Sequence, residues 1–282
     1  MARQSQVPHD RVLLPTRLLA ALITPFLVLA FCVLFPWPTD TQRLFAWHIT
    51  PTMSPMVLGS VYLGGAYFFV RVIRAPHWHQ VAGGFLPVAT FAALMGITTV
   101  LHWNRFIHTN VAFWLWVGLY FTTPVLVLVT FLRNQREYRP AAVGDLVLSR
   151  TAATAIVLAA ALSTIMSAFL YLFPNRAISV WPWHLTPLTA RMLGAIFALG
   201  IAGFGARRER RWSAARILLQ VAGVMLSLIL LAGIRAHREF DSSKPLTWLF
   251  TMGFTATAIA MGLLYLRMQS RYRALAHHGN AH

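Results

Sequence analysis

Eight apolar runs, each about as long as a bilayer is thick, decide what this chain can fold into. A helix needs about 20 residues to cross the ~30 Å hydrocarbon layer. The runs 15–35, 54–73, 81–102, 110–132, 151–173, 189–206, 217–234 and 246–266 meet that length. None of them holds an aspartate or glutamate, and the seven acidic residues all lie outside them. In hydrocarbon a backbone must satisfy its own polar groups, which helices do. The expected fold is therefore an all-α integral membrane protein with eight transmembrane helices. The first run is read as a span and not as a cleaved signal, because it is long and no small-x-small site follows Phe35-Pro36-Trp37-Pro38.

Charge sets the direction of the bundle. Only 11% of residues are charged, against about 25% in soluble domains. The net charge of +17 would suggest nucleic acid in a soluble protein, but here the arginines sit in short loops between spans. Nucleic acid is thus excluded as a partner, and the bilayer is the expected surrounding. With the N-terminus inside, the outer segments hold only Arg43, Arg105, Arg176, Arg191, Arg235, Arg238 and Lys244 of the 24 basic residues. The remainder fall on the other side, so both termini are predicted to be cytoplasmic. Arg207-Arg208-Glu209-Arg210-Arg211 reads as an anchor of that kind, in reach of anionic lipid.

The chain repeats itself. Phe35-Pro36 and then Trp47-His48-Ile49-Thr50-Pro51 follow the first run. Phe173-Pro174 and then Trp183-His184-Leu185-Thr186-Pro187 follow the fifth, 136 residues later. A looser match sets His102-Trp103-Asn104-Arg105-Phe106 against Ala236-His237-Arg238-Glu239-Phe240. Four spans is an even number, so two parallel four-helix repeats are expected, in 1–140 and 141–282. Both words lie on the outer face with most of the tryptophans, which suggests an interfacial aromatic belt and short interfacial helices over 36–51 and 174–187.

At Trp181-Pro182-Trp183-His184-Leu185-Thr186-Pro187-Leu188-Thr189-Ala190-Arg191 and Leu101-His102-Trp103-Asn104-Arg105-Phe106 the chain resembles a group of bacterial multi-span membrane proteins to which no activity is assigned. The resemblance implies a bacterial plasma (inner) membrane location. In that group the position of His184 often carries another residue. A second likeness, of architecture only, is to heme A synthases, which also have eight spans in two halves; their Glu-x-x-His-Arg type motif is missing here.

Few residues carry chemistry. His48 and His102 in one half, with His184 and His237 in the other, are the candidate axial ligands if heme is bound. Asp40, Glu239 and Asp241 could join the same histidines around a metal, but no zinc-binding spacing is present, and no cofactor is predicted outright. His77, His79 and the tail residues His277, His278 and His282 read as solvated. Arg191 lies a few residues inside a span, and an intramembrane arginine marks a site by default. With Arg105, Trp47, Trp183, Thr50 and Thr186 it forms the candidate ligand-binding set. Gly194, Ala198, Ala202 and Ala206 form a small-residue stripe for close helix contact. Pro25, Pro87 and Pro124 lie within spans, and Cys32, the single cysteine, forms no internal disulfide.

No P-loop, dinucleotide fingerprint or nucleophile elbow is present. Spans without a carboxylate argue against ion coupling. The leading expectation is a non-catalytic accessory or binding protein, with a possible membrane-protein partner and its functional face outside. The alternatives are a permease or lipid-handling protein for an apolar or anionic small molecule, and a heme-binding redox or heme-modifying protein. A cavity between the halves lined by Arg191 and Arg105 would favour the permease; a sealed core would favour the accessory protein.

Overall fold

A computed structural model describes residues 10–138 and 145–279, with side chains omitted for 276–279. The expected boundary between repeats at 140/141, together with Arg3, Arg139 and His282, lies outside the described residues, as do the side chains of His277 and His278. Every apolar run is helical. The long helices are α1 (Leu14–Leu34), α3 (Met53–Arg74), α4 (Ala82–Leu101), α5 (Val111–Glu137) and α6 (Arg150–Leu172). They continue with α8 (Pro187–Ala198), α9 (Trp212–Arg235) and α10 (Pro245–Gly279). Two short helices, α2 (Thr41–Leu44) and α7 (Pro174–Val180), fill the segments expected to be interfacial. With the extension of α8 counted, eight helices are long and apolar enough to cross a membrane. Among the described residues there is no strand, only one bridge between Val147 and Arg211.

Polar side chains cap the starts of α5 and α6. Asn110 accepts from the backbone N–H of Ala112, and Ser149 from that of Ala152. Such caps satisfy amides that a helix cannot pair internally. Pro25, Pro87 and Pro124 do lie inside α1, α4 and α5.

The core lies where the halves meet. α3 packs on α9, and α4 packs on α8. α1 covers α3 and α5 covers α4 on one flank; α6 covers α8 on the other. α5 also touches α1, whereas α10 rests mainly on α9. Burial follows: 67% of the apolar stretch of α3 is buried, and none of that of α10. One end of the bundle holds both W-H-x-T-P words and is called the tryptophan-rich end; the other, with Arg71, Arg74, Arg207, Arg208, Arg210 and Arg211, is the arginine-rich end.

The small-residue stripe needs correction. α8 passes at Ala198 into a 3-10 helix, Leu199–Arg207. A 3-10 helix has three residues per turn, so positions three apart share a face. Glycine contacts with α6 accordingly fall on Gly194, which belongs to the expected stripe, and on Gly200 and Gly203, which do not. A Cβ on Gly194 would stand 3.0 Å from the carbonyl oxygen of Ser167, and one on Gly203 would stand 3.0 Å from that of Ile156. Serine hydroxyls of α6 bridge the gap: Ser167 donates to the Gly194 carbonyl and Ser163 to that of Phe197, each at 2.7 Å.

Gly194→Val therefore drives a branched side chain into the backbone of α6 and is expected to cost about 1–3 kcal/mol. Gly118→Ala, at a helical position with nothing within 4 Å, is expected to be neutral or stabilising by up to ~1 kcal/mol. Thermal unfolding in detergent should place the two variants on opposite sides of the parent, or leave Gly118→Ala level with it.

Candidate functional site

At the tryptophan-rich end the two words build two aromatic cages. Trp47 lies 5.1 Å from Phe45, 5.1 Å from Phe106 and 4.8 Å from Trp116, centroid to centroid. Trp183 lies 5.3 Å from Trp181, 5.3 Å from Phe240 and 5.2 Å from Phe250. The contact of Trp116 with Tyr120 (4.2 Å) has its counterpart in Phe250 with Phe254 (4.2 Å). Backbone bonds recur in the same way. Ile107 N–H donates to Ala46, and Asp241 N–H to Pro182. Asn110 donates to the Phe45 carbonyl at 2.9 Å, and Lys244 to that of Trp181 at 2.8 Å.

These cages change the reading of the tryptophans. Trp47 and Trp183 are each 1% exposed. They are the cores of the caps, and Trp183 with Trp181 also lines the apolar cavity described below. Trp37, Trp103, Trp114 and Trp248 are the exposed indoles. The Trp183 indole donates to Ser54 at 3.0 Å, which joins the second word to the start of α3.

The threonines serve helix ends. Thr186 is exposed and forms a capping box with Thr189 at the start of α8. Thr50 is exposed too, and α3 begins three residues beyond it. There Glu239, from the turn His237–Glu239, accepts the backbone N–H groups of Thr52 and Met53, both at 2.8 Å, and the Thr52 hydroxyl. A carboxylate at a helix N-terminus is stabilising. With both oxygens engaged, Glu239 is unsuited to the metal role envisaged for it.

Arg191 and Arg105 do converge, on a histidine. Half-buried Arg191 donates from Nη1 to Nε2 of His102 at 2.7 Å. Burial, then Arg191, then Arg105 hold the His102 imidazole below its ordinary range. Among the described residues neither arginine has an ion pair. The pair is a cationic corner without a counter-ion. The other histidines stay apart: His48 and His184 are exposed, and the His237 ring meets the Ile234 carbonyl. Among the described residues no cluster of three or more His, Cys, Asp or Glu could hold a metal ion.

Two features were not anticipated. At the arginine-rich end, Asp10 accepts from Nδ1 and the backbone N–H of His79; Nε2 of His79 lies 3.0 Å from the Ser213 hydroxyl; and Ser213 donates to Asp145. The order Asp–His–Ser is that of an acyl-transfer relay. Ser213, however, gives its hydrogen to Asp145. The chain of hydrogen bonds acts as a tie between the halves. The second feature is an apolar cavity of about 1890 Å³, lined from α1, α3, α4, α5, α6, α8, α9 and α10. Its walls include Ala155, Ala159 and Met166 of α6, and Phe250, Phe254 and Met261 of α10. Neither Arg191 nor Arg105 lines it, nor do His48, His102, His184 and His237. Compared with known proteins, the chain matches no family model, no curated protein and no solved structure.

The lowered affinity of His102 for a proton has a definite sign. The unfolded chain takes up the proton first, near the ordinary value of ~6.5, so stability is expected to fall as pH drops below it. His102→Gln keeps an acceptor for Arg191 and removes the titration. The acid-induced fall in melting temperature between about pH 7.5 and pH 5 should be smaller in His102→Gln than in the parent.

Proposed function

We propose that this chain is a bacterial plasma-membrane protein that binds an apolar or anionic amphiphile between its helices without transforming it. In this reading it consists of two parallel four-helix repeats with both termini in the cytoplasm. The recurring ring and backbone contacts of the two cages support the repeat, and the crowding of arginines at one end supports the orientation.

The slot beside α10 carries the functional reading. Lys244 at the head of α10 donates to Trp181, fixing the tryptophan-rich end. At the other end Gln220 donates to Tyr265 at 2.8 Å, and Met268 packs with Trp212 and Leu148. Between these anchors α10 packs mainly on α9, with Phe254 against Phe197 of α8, and α6 lines the same apolar cavity as α10. A dry gap forfeits dispersion contacts along both walls, and hydrocarbon of the right width restores them. A slot pinned at both ends suits an acyl or isoprenoid chain.

A second reading is favoured by the wholly unburied apolar stretch of α10: the slot holds a helix of a membrane-protein partner, and the chain is an accessory subunit. Heme fits poorly. Of the four proposed ligands, His102 already accepts from Arg191, His237 meets a backbone carbonyl, and none faces the apolar cavity.

Native mass spectrometry of the protein extracted in mild detergent is expected to show a retained amphiphile. Ala159 is exposed to the slot, so Ala159→Phe should fill it without disturbing the core and weaken retention by about tenfold, or ~1.4 kcal/mol. A retained protein chain in place of a lipid would select the accessory reading. Retention of neither would defeat both.

A further inference from the structure

A second cavity, of about 470 Å³, opens at the arginine-rich end where α3 meets α9. Its polar lining is Tyr67, Arg71, Arg74, Gln80 and Arg216; no carboxylate contributes to it. Among the described residues none of these three arginines forms an ion pair. Arg71 is held in place: Nη1 donates to Gln220 at 2.6 Å and to the Tyr67 hydroxyl at 3.0 Å. The Arg216 guanidinium stacks 5.5 Å from the Tyr272 ring, which fixes its plane. Its Nε is buried and has no hydrogen-bond partner.

Three guanidinium groups around one small cavity repel one another, and the repulsion grows as water is excluded. A buried donor with no acceptor adds to the cost and calls for a missing partner. Both costs are removed by one ligand type, a compact anion with several acceptor oxygens. A phosphoryl group has three such oxygens and close to two negative charges, and planar guanidinium forks match it in pairs. The Gln80 amide supplies a further donor. We propose that this cavity binds a phosphoryl group, carried by a lipid headgroup or by a free phosphate. The site shares no residue with the slot beside α6 apart from Gln80, and it does not rest on the function proposed for that slot.

The test uses the full chain purified in detergent and titrated by calorimetry with inorganic phosphate and with dihexanoyl phosphatidic acid. Dihexanoyl phosphatidylcholine is the zwitterionic control. Arg74→Gln changes an exposed residue, and Arg216→Gln removes the unpartnered donor; each is expected to weaken binding at least about tenfold, as expected for loss of a charge-assisted contact. Binding of phosphatidic acid alone assigns a lipid headgroup. Binding of both ligands assigns the phosphoryl group itself, and binding of phosphate alone assigns a free anion. The proposal is overturned by absence of binding for both anions, by equal binding of the choline control, or by unchanged affinity in both variants.

Discussion

Hydrocarbon offers no partner for a polar group, and the rest of this structure depends on how the chain meets that constraint. It keeps its acidic residues at the two ends of the bundle and uses Glu239, Asp10 and Asp145 there as ties. At the tryptophan-rich end Glu239 of the second half takes the first amides of α3, and Arg235 donates to the carbonyl of Phe35 at 2.7 Å. At the arginine-rich end the Asp10–His79–Ser213–Asp145 chain crosses between the same halves. The halves are stitched where water and lipid headgroups begin.

The middle of the bundle is left to packing. Where glycine allows backbones to touch, as at Gly194 and Gly203, helices lock without directional bonds to spare. α10 makes no such approach at Gly253, where nothing lies within 4 Å of an added Cβ. It is held at its head and near its foot, and the slot between is a consequence of stitching at the ends.

The spans were legible because hydropathy is a local property, and each of the eight apolar runs became a helix. The fate of the tryptophans was not. A belt at the interface and the core of a cap draw on the same residues, and only contacts across long sequence distances separate Trp47 from Trp114. The stripe in α8 was read at 3.6 residues per turn, which found Gly194 but missed Gly200 and Gly203, because the chain tightens after Ala198. The Asp10–His79 tie carried a usable signal. Asp10 and His79 are 69 residues apart, Asp145 and Ser213 are 68 apart, and the pairs Trp78–Gln135 and Trp212–Gln269 are each 57 apart. Extending the repeat past the W-H-x-T-P words to Trp78 and Trp212 would have aligned them.

The departures from likeness between the halves account for the cationic corner. Arg105 and Glu239 close turns of the same form, with their N–H groups bonded to His102 and Ala236 at 2.8 and 2.9 Å. The two residues have opposite charge at matching places. Glu239 suits the positive end of α3, which has no side-chain cap of its own. An arginine beside the start of α8 would meet that same positive end and gain nothing from it. α8 instead caps itself through Thr186 and Thr189. Self-capping removes any need for a carboxylate there, and Arg105 and Arg191 are left to face outward with only the neutral ring of His102 between them. A helix end that provides its own acceptor is thus what leaves a positive surface open at this face.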